Sequence, residues 1–505
     1  MSTASVKSVP ETNAANLLPD KKYAPCFLGR VLIIGLGKSG MAATRYLSAL
    51  VGTRVESVFV AAGEKNAKAQ AFAQNYENPQ VTFAFDCETF SEHYDLCIAS
   101  PGISQFSDFY QNAAVASCEI ISEAEFAWRE SAADSRWIAI TGTNGKTTTT
   151  SLTAHILQVA GFNALAVGNI GDTCLDAVSA GKTDIYVAEL SSFQLASTVH
   201  FAPVASVILN VTPDHLYWHK SFEAYRDAKF KCLENLNKTP GSLAILDATD
   251  DVVRAKIREL KALDPAQRGF DYVPLGTAAG VRESMIARCG AAAAAYVDEN
   301  ETLVVEYQGV RHELCATSQL QIKGDHNISN SLAAACCALA IGATNQQISC
   351  ALQSFAPLEH RNEPCGSIAG VHCFNDSKAT NVDSSLKALS SFEPGRVVVL
   401  YGGRDKGTDL SELVEATKKY AHAVVCFGEC QDRFYDAFAA NPGNLTLLRG
   451  AWLEEALDAA LSVARPGDNV VLSPACASFD EFSCFEERGE VFKKLVAARR
   501  ERLGA

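Results

Sequence analysis

The chain has 505 residues, of which 48% are hydrophobic and 20% charged, and its net charge is −14, from 44 basic and 58 acidic side chains. This length predicts about three domains, and the low charge content together with the apolar content excludes extended disorder. The acidic balance disfavours nonspecific nucleic-acid binding, because phosphate backbones are bound by basic surfaces.

The N-terminal 25 residues are polar, lack the apolar segment of a signal peptide, and are expected to form a loose tail (1–25). Residues 26–135 form the first predicted domain, in which "VLIIGLGKSGMAATRYL" is typical of a strand, a glycine turn and a helix. Further strands are predicted at "SVFVAA", "VTFAFD" and "DLCIASPGI". This alternation predicts a parallel sheet of the Rossmann-like type.

The motif "GLGKSG" at residues 35–40 has the G-x-G-x-x-G spacing that suits a diphosphate between a strand and a helix. A nicotinamide dinucleotide site also needs an acidic residue after the next strand. Ala61 and Ala62 occupy that place, and Glu64 comes slightly late. The motif therefore favours a diphosphate ligand over a nicotinamide cofactor.

The central predicted domain, residues 136–358, opens with a strand, a glycine loop and a helix. Strands follow at "DIYVAEL", "ASVILNV" and "LAILD", a hairpin is predicted to turn at Gly309, and "NISNSLAAACCALAIG" is predicted to be a helix. The last predicted domain, residues 359–505, again alternates strands and helices, which indicates a second Rossmann-like sheet.

The 17 cysteines are scattered and contain no C-x-x-C pair, which is typical of reduced thiols and not of a disulfide or zinc framework. No run of about 20 apolar residues occurs, so no membrane span is predicted. We therefore expect a cytoplasmic protein, and we expect it to be a monomer.

The loop "ITGTNGKTTTT", residues 140–150, has the glycine, lysine and threonine of a phosphate-binding loop, but Gly142 and Gly145 are closer together than in the common P-loop. Converging N–H groups and a helix N-terminus attract phosphate, Lys146 can reach a terminal phosphate, and Thr147 lies where such a loop places a Mg²⁺ ligand. The alternative is a glycine turn that only caps a helix.

Polar residues also follow the next two strands of the central domain. Glu189 ends "DIYVAE", and Asn210, Thr212, Asp214 and His215 follow "ASVIL". Taken singly, each could be a solvated residue or a helix cap. Together with the glycine loop they favour a ligand-binding edge, because parallel strands end at the same edge of a sheet. Lys229 and Lys231 lie on a predicted helix and would by themselves be solvated.

In the last domain, four motifs flank apolar strands: "HRNE", "NDSKATN", "GGRDKG" and "SPACASFDEF". They contribute cations and hydroxyls to one sheet edge, at Arg361, Lys378, Arg404, Lys406, Ser377, Thr380, Ser473 and Ser478. Cations paired with hydroxyls suit a small dicarboxylate or a phosphate.

These motifs, in this order and over about residues 30–500, resemble the Mur ligases, the ATP-dependent amide ligases of peptidoglycan precursor synthesis, whose loop is G-x-x-G-K-[ST]. The C-terminal motifs resemble those of the members that add D-glutamate to UDP-N-acetylmuramoyl-L-alanine. The resemblance implies a UDP-binding domain, a central ATPase domain and a mobile amino-acid-binding domain. The implied partners are ATP and these two small molecules.

The resemblance also implies roles for individual residues. Those for ATP are Gly142, Thr143, Asn144, Gly145, Lys146, Thr147, Thr148, Asn327, Asn330, Arg361 and Asp376. Those for two Mg²⁺ ions are Thr147, Glu189, His215 and Lys229, the last as a carbamylated lysine; Lys146, Glu189, His215 and Lys229 are the implied catalytic residues. Those for the substrates are Gly35, Leu36, Gly37, Lys38, Ser39, Asn169, Lys378, Thr380, Lys406, Ser478 and Phe485.

The chain departs from the family pattern at two places. Tyr217 stands where an aspartate is common, and the acid expected near the uracil is replaced around Ala61. The implied reaction phosphorylates the L-alanyl carboxylate, and the amine of D-glutamate then displaces phosphate from the acyl phosphate. Because an acyl phosphate must be kept from water, domain closure carrying Arg361 and Lys406 is expected.

Three alternatives stay open at this point. One is another amino-acid ligase of the same fold, either a Mur-type enzyme or one of the folylpolyglutamate type. The second is a nicotinamide oxidoreductase, which "GLGKSG" suggests but the missing acid disfavours. The third is a nucleotide-binding regulator without catalysis.

Overall fold

The computed structural model describes residues 16–502, which form an α/β protein with three separate sheets. The chain divides into two compact units: one includes residues up to 320 together with 327–354, and the other comprises residues 321–326 and 355 onwards. Each of the three predicted segments contains one sheet, which confirms the α/β class. The predicted domain boundaries at 135/136 and 358/359 stay predictions.

The first sheet is wholly parallel, with strand order β3-β2-β1-β4-β5. Its strands are β1 (Gly29–Ile34), β2 (Val55–Ala61), β3 (Val81–Ala84), β4 (Leu96–Ala99) and β5 (Ile120–Ser122). Its helices are α1 (Lys38–Ser48), α2 (Ala67–Ala73), α3 (Asp108–Val115) and α4 (Glu123–Glu130). The near-continuous apolar strands are buried on both faces, as parallel strands covered by helices must be.

The second sheet has nine strands in the order β14-β13-β12-β11-β10-β9-β6-β8-β7. They are β6 (Arg136–Thr141), β7 (Ala164–Gly168), β8 (Ile185–Glu189), β9 (Ala205–Ile208), β10 (Leu243–Asp247), β11 (Asp271–Gly276), β12 (Ala294–Val297), β13 (Thr302–Tyr307) and β14 (Val310–Ala316). The pairs β12–β13 and β13–β14 are antiparallel, which confirms the hairpin predicted at Gly309.

Ten helices accompany this sheet in the chain: α5 (Lys146–Val159), α6 (Cys174–Ala180), α7 (Ser192–Ala196), α8 (Leu216–His219), α9 (Phe222–Phe230), α10 (Asp251–Ala262), α11 (Pro265–Arg268), α12 (Arg282–Cys289), α13 (Asp325–Ile341) and α14 (Asn345–Ser354). The predicted helix ending before Gly342 is α13, which begins two residues earlier than "NISN". Short 3₁₀ turns lie at Lys231–Leu233, Leu236–Lys238 and Thr317–Gln319.

The third sheet is parallel except for its first pair, and its order is β15-β16-β20-β17-β18-β19. Its strands are β15 (Glu363–Ile368), β16 (Val371–Asn375), β17 (Val397–Gly402), β18 (Ala421–Phe427), β19 (Thr446–Gly450) and β20 (Asn469–Ala475). Its helices are α15 (Val382–Leu389), α16 (Ser411–Tyr420), α17 (Gln431–Ala439), α18 (Leu453–Val463) and α19 (Phe485–Arg502). Apolar clusters cover both of its faces.

Residues 16–25, which fall in the predicted tail (1–25), make defined contacts, while residues 1–15 lie outside the described part of the chain. Lys22 N and Tyr23 N donate to Ser131 O and Arg129 O, each at 3.1 Å. The Tyr23 ring lies 4.4 Å from the ring of His200 and receives the guanidinium of Arg129. The polar composition concealed these contacts, because main-chain hydrogen bonds do not depend on side-chain hydropathy.

The first two sheets share one hydrophobic cluster, which includes Phe126 of α4, Trp137 of β6 and Phe201, which lies between α7 and β9. Glu123, at the start of α4, is buried at this junction. Its Oε1 accepts a hydrogen bond from Leu175 N of α6 at 2.6 Å, and its Oε2 has no hydrogen-bond partner among the described atoms. Burial raises the pKa of the Glu123 carboxyl to about 7.

This raised pKa makes stability fall as the pH rises. Because the folded chain holds the Glu123 proton more tightly than the unfolded chain, the stabilisation is complete below about pH 4.5 and is lost towards pH 7, a change of roughly 3 kcal/mol. We expect Glu123→Gln, which stays neutral, to gain stability relative to the native chain on going from about pH 5 to about pH 8. Calorimetric unfolding of both proteins at the two pH values measures this gain. If the free energies of unfolding of the two proteins differed by the same amount at both pH values, the prediction would be contradicted.

Among residues 16–502, no helix is both long and apolar enough to cross a membrane. The described residues include all 17 cysteines, and each of them is a free thiol.

Candidate active site

The glycine loop lies between the end of β6 and the start of α5, at the carboxyl edge of the second sheet. Gly145 caps α5 in the left-handed region (φ 84°). A Cβ atom added there would lie 2.6 Å from Asn330 Oδ1 and 2.9 Å from Leu209 Cδ1, so the position requires glycine. The glycine loop therefore lies close to Asn330 of α13, with no room for a side chain at position 145.

Lys146, the first residue of α5, folds back over the loop. Its Nζ donates to Gly142 O and Thr143 O, both at 2.8 Å. Thr147 and Thr148 follow in the first turn and are largely buried. An ammonium group and a helix N-terminus are therefore adjacent, which is the arrangement that binds phosphate oxygens.

Asn210 and Tyr225 hydrogen-bond to residues of the loop, and the sequence did not predict these contacts. Asn210 Oδ1 accepts from Asn144 N at 2.8 Å, and Asn210 Nδ2 returns a bond to Asn144 O at 3.2 Å. Tyr225 Oη lies 2.8 Å from Thr143 Oγ1. A signal was present, since Asn210 follows a strand and Tyr225 begins the "YRDAK" motif, but neither position by itself indicates a partner.

Glu189 ends β8, directly beside β6, with Ile140 as its partner across the pair. Its side chain is 1% exposed. Oε1 accepts from Asn169 Nδ2 at 2.8 Å, and Oε2 is buried with no hydrogen-bond partner among the described atoms. A buried carboxylate oxygen with unused acceptor capacity fits a divalent cation, which prefers oxygen ligands.

His215 lies in the connection after β9, where it precedes α8 with its backbone in the left-handed region (φ 54°). Asp214 Oδ2 is 3.6 Å from its Nε2, and the Phe193 ring packs against the imidazole at 4.8 Å between centroids. Four residues further on, the buried His219 lies with Nε2 2.9 Å from Ser192 Oγ. Burial, with the charges of His215 and Lys229, lowers the pKa of His219 to about 4, so this ring is neutral at pH 7.

Lys229 is buried on α9, where its sequence position alone would have predicted a solvated lysine. Its Nζ donates to Gly142 O at 2.7 Å and lies 4.7 Å from the centre of the Tyr225 ring. Burial and the nearby Lys146 lower the pKa of Lys229 well below its ordinary value, while Asp214 and Glu189 act in the opposite direction. The structure therefore brings Lys146, Glu189, Asp214 and Lys229 within electrostatic reach of one another.

Asn327 and Asn330 lie in the first turns of α13. Asn330 Oδ1 accepts from Thr149 Oγ1 of α5 at 3.1 Å, and Asn330 Nδ2 donates to Asn327 Oδ1 at 3.0 Å. The buried Asp247, at the end of β10, holds this helix by accepting a very short hydrogen bond from Ser329. The two asparagines predicted to face adenine thus lie beside the phosphate loop.

The glycine motif of the first sheet follows β1. A Cβ atom added at Gly40 would lie 2.0 Å from Gly35 O, so only glycine allows α1 to approach the turn. Lys38 and Ser39 begin α1, Leu36 is buried, and space is open beside Gly37. Strand β2 ends at the buried Ala61, which confirms that no carboxylate occupies that strand end.

In the C-terminal unit, the buried Asp376 follows β16. Its Oδ2 accepts from Ser473 Oγ at 2.8 Å, and its Oδ1 accepts from Asn362 N at 3.3 Å. Burial raises the pKa of Asp376 to about 7, against the opposing effects of Ser473 and Arg361. The predicted pair Arg361 and Asp376 are therefore electrostatic neighbours.

Lys378 lies over the Phe485 ring, with Nζ 5.0 Å from its centre. Ser377 Oγ donates to Phe485 O at 2.8 Å, and the buried Arg488 donates to Ser377 O at 2.8 Å and to Cys476 O at 3.2 Å. These bonds join the "NDSKATN" and "SPACASFDEF" motifs, which carry Thr380 and the buried Ser478. Lys406 is exposed on the loop after β17.

The predicted site residues thus fall into two groups. The phosphate-loop and metal residues gather in the first unit, and the predicted amino-acid residues lie on the C-terminal unit. Their individual roles stay predictions. Neither Arg488 nor Asp247 was identified from the sequence, because nothing in the local pattern indicates that these charged groups are buried.

Two family models match the chain: the Mur ligase middle domain at residues 140–338, and the Mur ligase glutamate ligase domain at residues 360–476. The fold and the phosphate-binding edge are those of this class, and the chain belongs to the Mur ligase family.

Curated proteins similar to this chain include two that are named UDP-N-acetylmuramoylalanine–D-glutamate ligase. The protein from Thermoanaerobacter pseudethanolicus is 36% identical over 93% of this chain and 98% of its own. The protein from Geotalea uraniireducens is 35% identical over 92% of this chain and 97% of its own.

Solved structures share the fold at lower identity. The UDP-N-acetylmuramate–alanine ligase MurC from Thermotoga maritima has a TM-score of 0.52 and 17% identity, and covers 93% of this chain and 99% of its own. MurF from Acinetobacter baumannii has a TM-score of 0.54 and 19% identity, and covers 81% of this chain and 91% of its own.

Proposed function

We propose that the chain is an ATP-dependent ligase that joins D-glutamate to UDP-N-acetylmuramoyl-L-alanine in peptidoglycan precursor synthesis. The single observation that carries this proposal is the full-length similarity to relatives of that name, at 36% identity over 98% of the relative. The phosphate loop with Lys146, beside the buried Glu189, supplies the groups that such chemistry needs. We place the enzyme in the cytoplasm, where its 17 free thiols stay reduced.

In this proposal Lys146 and the N-terminus of α5 bind the ATP phosphates, and Asn327 and Asn330 lie on the adenine side. The L-alanyl carboxylate attacks the terminal phosphorus, ADP leaves, and an acyl phosphate is formed. The amine of D-glutamate then attacks the acyl carbon, and phosphate leaves. Oriented cations stabilise the charge that develops on the transferred group, and positioning supplies much of the rate.

We infer that Thr147, Glu189 and His215 hold Mg²⁺, which when bound neutralises phosphate charge. The buried Glu189 Oε2 supports this assignment, since its acceptor capacity is otherwise unused. We further infer that Lys229 is carbamylated. Its lowered pKa leaves a neutral amine able to react with carbon dioxide, and the resulting carbamate is an anion suited to a cation site.

We assign the C-terminal groups Lys378, Thr380, Lys406, Ser478 and Phe485 to D-glutamate, and Arg361 and Asp376 to the nucleotide. A dicarboxylate needs cations and hydroxyl donors, and this set contains both. For the uridine substrate we assign residues 35–39 and Asn169, with Ala61 leaving one polar contact of the family unmade. The predicted domain closure stays a prediction.

The test is phosphate release from ATP in the presence of UDP-N-acetylmuramoyl-L-alanine and a panel of amino acids. We expect D-glutamate to stimulate release, and L-glutamate, L-lysine and meso-diaminopimelate to give little stimulation. Release driven by a different amino acid would favour another ligase of the family and would contradict the D-glutamate assignment.

A further inference from the structure

The loop that carries Lys406 connects β17 to α16 and has no regular secondary structure over residues 405–410. Such a loop loses conformational entropy when it is ordered by a ligand, and that loss weakens binding. Contacts that order the loop beforehand would reduce this cost.

The guanidinium group of Arg433 on α17 contacts the loop on both sides of Lys406, at Asp405 and at Thr408. Arg433 Nη2 donates to Asp405 Oδ1 and to Thr408 O, both at 2.9 Å. Its Nε forms a very short ion pair with Asp405 Oδ2. Asp405 Oδ1 also accepts from Gly407 N at 3.0 Å, which closes the turn around Lys406.

The helix that carries Arg433 is itself fixed to the strand that precedes the loop. Phe434 and Phe438 of α17 are buried and pack on Tyr401 of β17, with ring centroids 6.0 and 5.7 Å apart. The helix that carries Arg433 is therefore packed into the hydrophobic core of the unit. Because the guanidinium is a planar fork, it fixes direction as well as distance, which a lysine at the same place could not do.

We propose that Arg433 is a positioning residue that holds the Asp405–Thr408 turn so that Lys406 is presented to a carboxylate of the incoming amino acid. This inference rests on the proposed function, because Lys406 has a ligand only if the C-terminal unit binds D-glutamate. Arg433 acts through Asp405 and Thr408 and makes no contact with the reacting atoms.

The experiment compares Arg433→Ala with the native enzyme in the phosphate-release assay. We expect the KM for D-glutamate to rise by about tenfold, because a charge-assisted hydrogen bond that orders the loop is lost. The kcat should change by less than about twofold, and the KM for ATP should stay as it is. Arg433→Lys should recover only part of the lost affinity. Asp405→Asn removes the charge of the loop residue in the ion pair with Arg433, and it should also raise the KM for D-glutamate.

Arg449→Ala is the matched control. Arg449 is an arginine of similar exposure on β19 of the same unit; it pairs with Asp432 at 2.6 Å and stacks on Tyr435. It touches neither Asp405 nor Thr408 in the contacts that the described residues make. We expect this variant to keep the native KM for D-glutamate.

An unchanged KM for D-glutamate in Arg433→Ala would overturn the inference. So would an equal loss in kcat and in all three KM values together with a lowered unfolding temperature, since that pattern describes general destabilisation. Failure of the proposed function is distinguishable, because the native enzyme would then show no D-glutamate dependence before any variant is measured.

Discussion

Lys146→Ala is expected to reduce ATP-dependent phosphate release by about a thousandfold or more, since a preorganised cation at a transferring phosphoryl group stabilises the transition state. Lys146 lies at the first position of α5, and its Nζ is already held at the loop by two carbonyls at 2.8 Å. The loss should appear in kcat and in ATP affinity together. Single-turnover phosphate release and nucleotide binding measure the two contributions.

The control for this variant is Lys231→Ala. Lys231 also donates to two carbonyls, Ala196 O at 2.8 Å and Thr198 O at 2.9 Å, but it lies outside the glycine loop. We expect Lys231→Ala to lower the unfolding temperature and to keep the native kcat. If Lys146→Ala retained native activity, the phosphate loop would have no catalytic role and a regulatory nucleotide site would be the better interpretation.

Lys229→Ala is expected to reduce the rate by about a hundredfold or more, because the cation site would lose the anion that a carbamate supplies. If Lys229 is carbamylated as proposed, the native enzyme also depends on carbon dioxide. Activity should fall in buffer from which carbon dioxide has been removed and should return when bicarbonate is added. The lowered pKa of Lys229 favours this reaction, because it increases the fraction of neutral amine, and only the neutral amine reacts with carbon dioxide.

The decisive observation is the combination of the variant with bicarbonate. The activity of Lys229→Ala should not respond to bicarbonate. The activity of Lys231→Ala should respond as that of the native enzyme does. Lys231 is a suitable control because burial lowers its pKa as well. A native enzyme that is indifferent to carbon dioxide would contradict carbamylation, and the mass of the intact protein under native conditions provides an independent check.

The predicted residues of the phosphate-loop region differed in how much the sequence revealed about them. Gly142 to Thr148 could be located because their chemistry is local: a strand, two glycines, a lysine and a helix within a dozen residues. Lys229 could be located only through family resemblance. On its own helix it looks like a surface lysine, but it is buried and donates to Gly142 O of the glycine loop, 87 residues earlier in the chain.

The sequence by itself determined the α/β class, the three sheets, the glycine loop and the position of Glu189 at a strand end. These features could be predicted because strand and helix periodicity and turn chemistry depend on neighbouring residues. Only the tertiary structure decided that residues 16–25 pack on α4, that Glu123 is buried at a junction, and that Arg433 clasps the Lys406 turn. Each of these depends on contacts between residues 25 or more positions apart. The order of the strands within each sheet decides which residues that are distant in the chain come into contact. No local sequence pattern contains that strand order.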